Sequence, residues 1–167
     1  MIYIKSDKEI ELMRKPCEIV RDVLCLCEEK IRAGMTTKEL DKIAYDYITS
    51  CGATPSFLGY GGFPAATCIS IDEQVVHGFP SDRIIEEDQI VSVDVGAFFN
   101  GFHGDAARSL YVGHISPEKK KLIDVTRECF FEGIKGICIG SALGDIGAQV
   151  QEHAEKNGFS VVRDMVG

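Results

Sequence analysis

The chain has 167 residues, of which 45% are hydrophobic, and a formal net charge of −8. This length and apolar content suffice for one sizeable core, so we expect a single domain. The acidic excess argues against direct nucleic-acid binding, which needs a basic face, and against polybasic membrane attachment. No apolar stretch approaches the roughly 18 residues of a membrane span, and the N-terminus lacks the apolar core of a secretory signal. The composition therefore predicts a cytoplasmic protein.

The cysteines have neither an even count nor the paired C-x-x-C spacing of a metal or redox motif. They stand at positions 17, 25, 27, 51, 68, 129 and 138. We therefore expect reduced thiols, as in most cytosolic proteins, in preference to disulfides or a zinc site.

A pair of helices is predicted at the start of the chain. Ser6 with Glu9 forms a capping-box pattern, and apolar residues then recur at helical spacing to about residue 31. Pro16 should kink or split this helix. A second helix is predicted after Gly34, with Thr36 or Thr37 as its cap and an end at Gly52.

The same arrangement returns later in the chain. Ser116 precedes a second predicted helix pair, and Gly140 and Gly158 are spaced as Gly34 and Gly52 are. The pattern predicts an internal repeat, with a first half over about 1–113 and the helix pair of a second half over about 116–158. Coincidence is the alternative, because helix pairs are common. If the repeat is real, most of a second sheet segment is absent.

The stretch between the two helix pairs has the composition of β-strands. Residues 66–71 and 74–76 flank Asp72-Glu73, which reads as a tight turn. Residues 89–99 and 102–112 flank Asn100-Gly101, a strong two-residue hairpin signal.

This hairpin brings two acidic residues together. A turn at Asn100-Gly101 places Asp94 opposite Ala107, so Asp105 lies diagonally from Asp94 on the same face. Close carboxylates repel each other unless a cation lies between them, which favours a divalent metal. The alternative is that both acids face water. The opposite face should be core, with Val91, Val93, Val95, Ala97, Phe99, Leu110 and Val112.

Several residues near this pair are candidates for function. His77, expected at the end of a hairpin strand, could exchange a proton near neutral pH or donate to a developing oxyanion. The alternative is a structural histidine. Gly101 and Gly104 flank His103 and predict a tightly turned entry to Asp105. The glycine- and aromatic-rich loop at 59–64 is either a flexible loop or the wall of an apolar pocket.

Four spaced motifs resemble those of type I methionine aminopeptidases. They are Thr67-Cys68-Ile69-Ser70-Ile71-Asp72-Glu73, His77-Gly78-Phe79-Pro80, Val93-Asp94-Val95 and Gly101-Phe102-His103-Gly104-Asp105. The resemblance covers essentially the whole chain. It implies the α+β pita-bread fold, in which two halves related by a pseudo-twofold axis each combine a helix pair with antiparallel sheet. Here the second half would be incomplete.

The resemblance also implies a metal-dependent reaction. The family removes the N-terminal methionine of nascent proteins with two divalent metal ions, held by two Asp, one His and two Glu. Asp94 matches the bidentate ligand, Asp105 the bridging ligand and His77 the substrate-contacting histidine. Tyr60, Phe63 and Cys68 match the methionine pocket, with Phe57 at its edge. Gly96 replaces a small hydroxyl residue found in some members. Cobalt, manganese, iron(II) and zinc all suit such ligands.

The resemblance breaks off at Gly167, which in the family precedes the ligand histidine. We therefore expect a C-terminally truncated chain that is inactive alone. Two other readings stay open: a non-catalytic binding module of the same fold, or a half-site completed by a second chain. The resemblance further implies a monomer that works near the ribosome.

Overall fold

The computed structural model describes residues 2–163. The chain divides between Ile115 and Ser116 into two compact units. Among the described residues, unit 1 contains two α-helices and the β-strands, and unit 2 contains two further α-helices. No helix in the described part of the chain is long and apolar enough to cross a membrane.

The two helices of unit 1 each begin directly after a capping residue. Helix α1 covers Asp7–Lys30 and α2 covers Thr37–Ser50, and both open with a complete capping box. The Ser6 hydroxyl accepts from the Glu9 amide, and the Thr36 hydroxyl accepts from the Glu39 amide. The sequence predicted the Ser6 cap, and of the two candidates Thr36 and Thr37 the structure has Thr36 as the second cap. Helix α1 is continuous past the buried Pro16, so of the two predicted effects, a kink or a split, the split does not occur.

A four-stranded antiparallel sheet forms the second layer of unit 1. Its strands are β1 (Thr54–Pro55), β2 (Thr67–Ile71), β3 (Ile90–Phe99) and β4 (Phe102–Tyr111). Strand β3 pairs with β4 along its whole length, and with β2 and the short β1. The β3–β4 turn has φ 49° at Asn100 and φ 87° at Gly101, as the predicted two-residue hairpin requires.

One face of this sheet packs against the two helices. The core of unit 1 joins residues of α1, α2, β2, β3 and β4, including Ile19, Val23, Leu40, Ile48, Ile69, Ile71, Val91, Val93, Val95, Ala97 and Leu110. Val91, Val93 and Val95 are wholly buried, as their alternation predicted. Phe99 is partly buried against the same core.

Gly104 allows α1 to approach β4 closely. A Cβ at this position would lie 2.5 Å from the carbonyl carbon of Pro16 and 2.6 Å from the amide nitrogen of Cys17. Gly104 is paired with Ala97 in the middle of the hairpin. It therefore serves helix packing, and the predicted tight turn before Asp105 is confined to Asn100 and Gly101.

The predicted strand at residues 74–76 is wrong. These residues form no strand, although their segment follows the outer edge of β2. The Ile71 amide donates to the Gln74 side chain at 3.2 Å, and the Ile69 amide donates to the Gly78 carbonyl at 2.9 Å. At Ile71 a side chain therefore takes the place of a backbone partner, so the segment cannot form a regular series of strand hydrogen bonds with β2.

Unit 2 contains the predicted second helix pair. Helix α3 covers Pro117–Lys135, with the Ser116 hydroxyl accepting from the Lys119 amide, and α4 covers Leu143–Lys156. A small core joins Val125, Cys129 and Ala154. Both units thus contain the helix pair that the spacing predicted. The seven cysteines, which all lie within the described residues, form no disulfide there.

Candidate active site

Asp94 and Asp105 lie on the sheet face opposite to the core. Asp94 pairs with Ala107 and Asp105 with Gly96, which is the register predicted from the hairpin turn. Because side chains alternate, the two carboxylates are diagonal neighbours on adjacent strands. Asp94 is partly buried and Asp105 is exposed.

The surroundings of both acids disfavour ionisation. Burial raises the pKa of Asp94 above its ordinary value, and the charge of Asp105 raises it further. The pKa of Asp105 is also raised, because the surrounding protein partly shields its exposed carboxylate from water. Within residues 2–163, no Lys or Arg forms an ion pair with either carboxylate. Two acids held together without a basic partner fit a site for a divalent cation, which would favour their charged forms.

Cys68 is the neighbour of Asp94 on the other side of β3. The two residues are directly paired across β2 and β3. Burial raises the pKa of the Cys68 thiol to about 11, with smaller contributions from the charges of Asp94 and Asp105. Cys68 is therefore a neutral, apolar side chain at neutral pH, which suits the wall of a hydrophobic pocket better than nucleophilic chemistry.

His77 lies near the acid pair on an irregular segment. Its charge lowers the pKa of Asp94, which places the imidazole within electrostatic reach of that carboxylate. Its φ of 59° lies in the left-handed region, which is uncommon for a residue other than glycine. His77 is exposed, so the ring is accessible to a ligand.

Three phenylalanines form an aromatic cluster in the same unit. Phe63 makes edge-to-face contacts with Phe57 and Phe79, with ring centroids 6.5 and 5.2 Å apart. Phe57 also packs over β3, since a Cβ at Gly96 would lie 2.9 Å from its ring. Gly96 pairs with Asp105, so the cluster borders the carboxylates. Phe79 is a member that the sequence interpretation missed, although it lies two residues after His77.

The Tyr60 amide donates to the Phe57 carbonyl and the Tyr60 carbonyl accepts from the Phe63 amide, but the Tyr60 ring is exposed. Tyr60 begins a short 3-10 turn, Tyr60–Gly62, and 83% of its surface is exposed. Its assignment to the methionine pocket therefore stays a prediction, which requires a ligand to cover the ring.

His103 is a second neighbour of the acid pair that the sequence interpretation did not assign to the site. Its Nδ1 is 2.9 Å from the Ser56 hydroxyl, and its charge lowers the pKa of Asp105. Since His103 and Asp105 are two residues apart on β4, the alternation of the strand could have indicated their common face.

The donors near Asp94 and Asp105 are few. Within the described residues, no group of three or more His, Cys, Asp or Glu side chains could hold a metal ion. The two carboxylates thus fit part of a divalent-metal site. The predicted continuation beyond Gly167, and residues 164–167 themselves, lie outside the described residues.

The family model and the similar sequences that match this chain point to the same family. The model for metallopeptidase family M24 matches residues 11–167. The methionine aminopeptidase of Clostridium perfringens is 52% identical over 167 residues, which cover 100% of this chain and 67% of the relative. Methionine aminopeptidase 1 of Bacillus subtilis is 41% identical with the same coverage.

Solved structures show the same fold. The methionine aminopeptidase of Rickettsia prowazekii superposes with a TM-score of 0.96 at 37% identity, covering 98% of this chain and 66% of that one. The Thermotoga maritima enzyme also gives 0.96, at 41% identity, covering 100% and 68%. The predicted α+β pita-bread fold is confirmed, and the chain spans about two thirds of the length of these relatives.

Proposed function

Because this chain belongs to metallopeptidase family M24, we propose that it contributes Asp94, Asp105 and His77 to a site that removes N-terminal methionine from polypeptides. The observation that carries the proposal is the diagonal pair of carboxylates, both with raised pKa and neither ion-paired with a Lys or Arg within residues 2–163. The relatives are named methionine aminopeptidases, which supports the reaction and the substrate.

Asp94 and Asp105 would hold the divalent metal. When bound, such an ion supplies Lewis acidity and lowers the pKa of its water, which makes a nucleophile available at neutral pH. Oxygen ligands of this kind suit manganese, cobalt, iron(II) or zinc. The carboxylates themselves would be kept ionised by the cation, against the burial that now favours their neutral forms.

His77 would act on the substrate. Its exposed imidazole lies near Asp94 and could donate a hydrogen bond to the carbonyl oxygen of the scissile peptide as negative charge develops there. The effect is electrostatic, because a donor already in position stabilises the transition state more than the ground state.

The aromatic cluster would receive the methionine side chain. Phe57, Phe63 and Cys68 present apolar and polarisable surface next to the carboxylate face. A thioether makes favourable contacts with aromatic edges, so an unbranched sulfur-containing side chain suits this surface. Tyr60 would close over the bound side chain from its exposed position.

Metal titration tests the proposal on this chain. We expect calorimetric binding of Mn²⁺ that is lost in Asp94→Asn and in Asp105→Asn, because each substitution removes one charged ligand. Asp46→Asn is the matched control, since Asp46 is an exposed carboxylate on α2 that pairs with Lys42. Mn²⁺ binding that persists unchanged in both site variants would contradict the proposal.

A further inference from the structure

The position of His77 depends on how its segment is attached to β2. Val75 and Val76, which precede it, are 56% and 45% exposed and contribute little packing. His77 itself has φ 59°, a left-handed conformation that is unfavourable for a residue other than glycine. A strained residue keeps such a conformation only if neighbouring contacts impose it.

Those contacts lie at Gly78, the next residue. Its carbonyl accepts from the Ile69 amide at 2.9 Å, and its own amide donates to the Ser70 hydroxyl at 3.1 Å. Gly78 is buried against β2, where a Cβ would collide with the carbonyl of Ile69. Two hydrogen bonds and one steric constraint therefore fix the residue that follows His77.

Ser70 is the side chain in this attachment. It is 4% exposed, and its bond to Gly78 is buried, so water cannot replace the hydroxyl without local opening. Ser70 is two residues from Cys68 on β2 and pairs with Ser92, two residues before Asp94 on β3. The hydroxyl thus lies on the sheet face that carries the acid pair.

We infer that Ser70 is a positioning residue for His77: its buried hydroxyl fixes Gly78 and thereby holds the strained His77 beside the carboxylate face. The inference rests on the proposed function only in giving His77 a catalytic role. The attachment itself concerns residues of this chain and can be measured without turnover.

Amide hydrogen exchange of the full 167-residue chain tests the attachment. In Ser70→Ala the Gly78 amide loses its buried acceptor, and we expect its exchange to become about tenfold faster. Ser92→Ala is the matched control, because Ser92 bonds to Ser109 and not to the His77 segment. We expect unchanged exchange at Gly78 in that variant. Unchanged exchange in Ser70→Ala would overturn the inference.

Paramagnetic Mn²⁺ tests the consequence for His77. When Mn²⁺ occupies the acid pair, NMR signals of the Val95 amide and the His77 ring should both broaden. In Ser70→Ala we expect Val95 to broaden as before and the His77 ring to broaden less, because the ring is no longer held near the metal. Ser70→Thr keeps the hydroxyl and should restore the broadening of the His77 ring. This recovery would show that the effect of Ser70→Ala comes from the missing hydroxyl and not from a general loss of stability.

The outcomes separate the two proposals. Equal broadening of His77 in the wild type and Ser70→Ala would overturn the positioning role. Absence of Val95 broadening in the wild type would contradict the metal site, and the hydrogen-exchange result would then decide the positioning role alone. Gly78→Ala disturbs the same contact from the segment side, because the added methyl group would collide with the Ile69 carbonyl. It should reproduce the loss of His77 broadening, and undiminished broadening there would also count against the inference.

Discussion

Asp94 and Asp105 lie diagonally across the β3–β4 pair, on the face opposite to α1 and α2, and partial shielding from water raises the pKa of each. A hairpin that needed only stability would carry neutral residues at these positions. The arrangement therefore costs the folded protein free energy at neutral pH, as active-site residues often do.

Asp94→Asn should stabilise the metal-free protein at neutral pH. The folded-state pKa of Asp94 is raised above the ordinary value of 3.8, so the ionised carboxylate opposes folding, and this penalty is fully present above the folded pKa. Below pH 3.8 the group is protonated in both states and the gain should vanish. Because Asp94 is only partly buried, we expect on the order of 1 kcal/mol. Urea unfolding across this pH range measures the effect.

Added Mn²⁺ should make the wild type more stable than Asp94→Asn, which reverses their order without metal. The metal stabilises a protein that binds it in the folded state, so the wild type should gain stability and Asp94→Asn should not. Asp46→Asn, which loses an exposed ion pair with Lys42, serves as control and should change little with or without metal. A wild type that is already more stable than Asp94→Asn without metal would contradict the prediction.

Phe63→Ala and Tyr60→Ala should differ in their effects. Phe63 contacts Phe57 and Phe79, so its loss should lower stability by about 1–2 kcal/mol and weaken methioninamide binding in the presence of Zn²⁺. Tyr60 is 83% exposed, so its loss should leave stability unchanged and weaken only the binding of methioninamide. NMR titration and thermal unfolding measure the two quantities. If Tyr60→Ala binds methioninamide as tightly as the wild type does, Tyr60 is not part of the pocket.

Gly104→Ala should destabilise unit 1. The added methyl group would press on the Pro16 and Cys17 backbone of α1, and overpacking of this kind typically costs about 1–3 kcal/mol. Gly147→Ala on α4 is the contrasting variant, since nothing lies within 4 Å of its Cβ and alanine favours helix by about 0.5–1 kcal/mol. Hydrogen exchange of β3 and α4 amides reports each unit separately. Faster exchange in α4 than in β3 for Gly104→Ala would be inconsistent with this packing.

The 167-residue chain should release no methionine from a Met-Ala-Ser peptide with Mn²⁺ or Co²⁺. In the part of the chain that the structure describes, Asp94 and Asp105 belong to no larger cluster of ligand side chains. Two carboxylates alone leave a metal weakly held and poorly oriented. The Clostridium perfringens relative is the positive control. Turnover in a monomeric preparation that disappears in His77→Ala would contradict the expectation.

The sequence alone determined the cap of α1 and the register of the central hairpin, and it limited the cap of α2 to Thr36 or Thr37. Ser6, Thr36 and Asn100-Gly101 act through backbone groups within a few residues of themselves, so their chemistry can be recognised locally. Alternation then fixed which face Asp94 and Asp105 share, because side chains in a strand repeat every second residue.

Only the tertiary structure decided where His77, Phe79 and Gly104 lie. The segment at 74–78 has strand-like residues, but it is held by the Gln74 side chain and the Ser70 hydroxyl instead of a ladder. The sequence predicted a turn at Gly104, but in the structure this glycine contacts the backbone of α1 at Pro16, far earlier in the chain. Such contacts depend on how closely two elements pack, and no local pattern of residues encodes that distance.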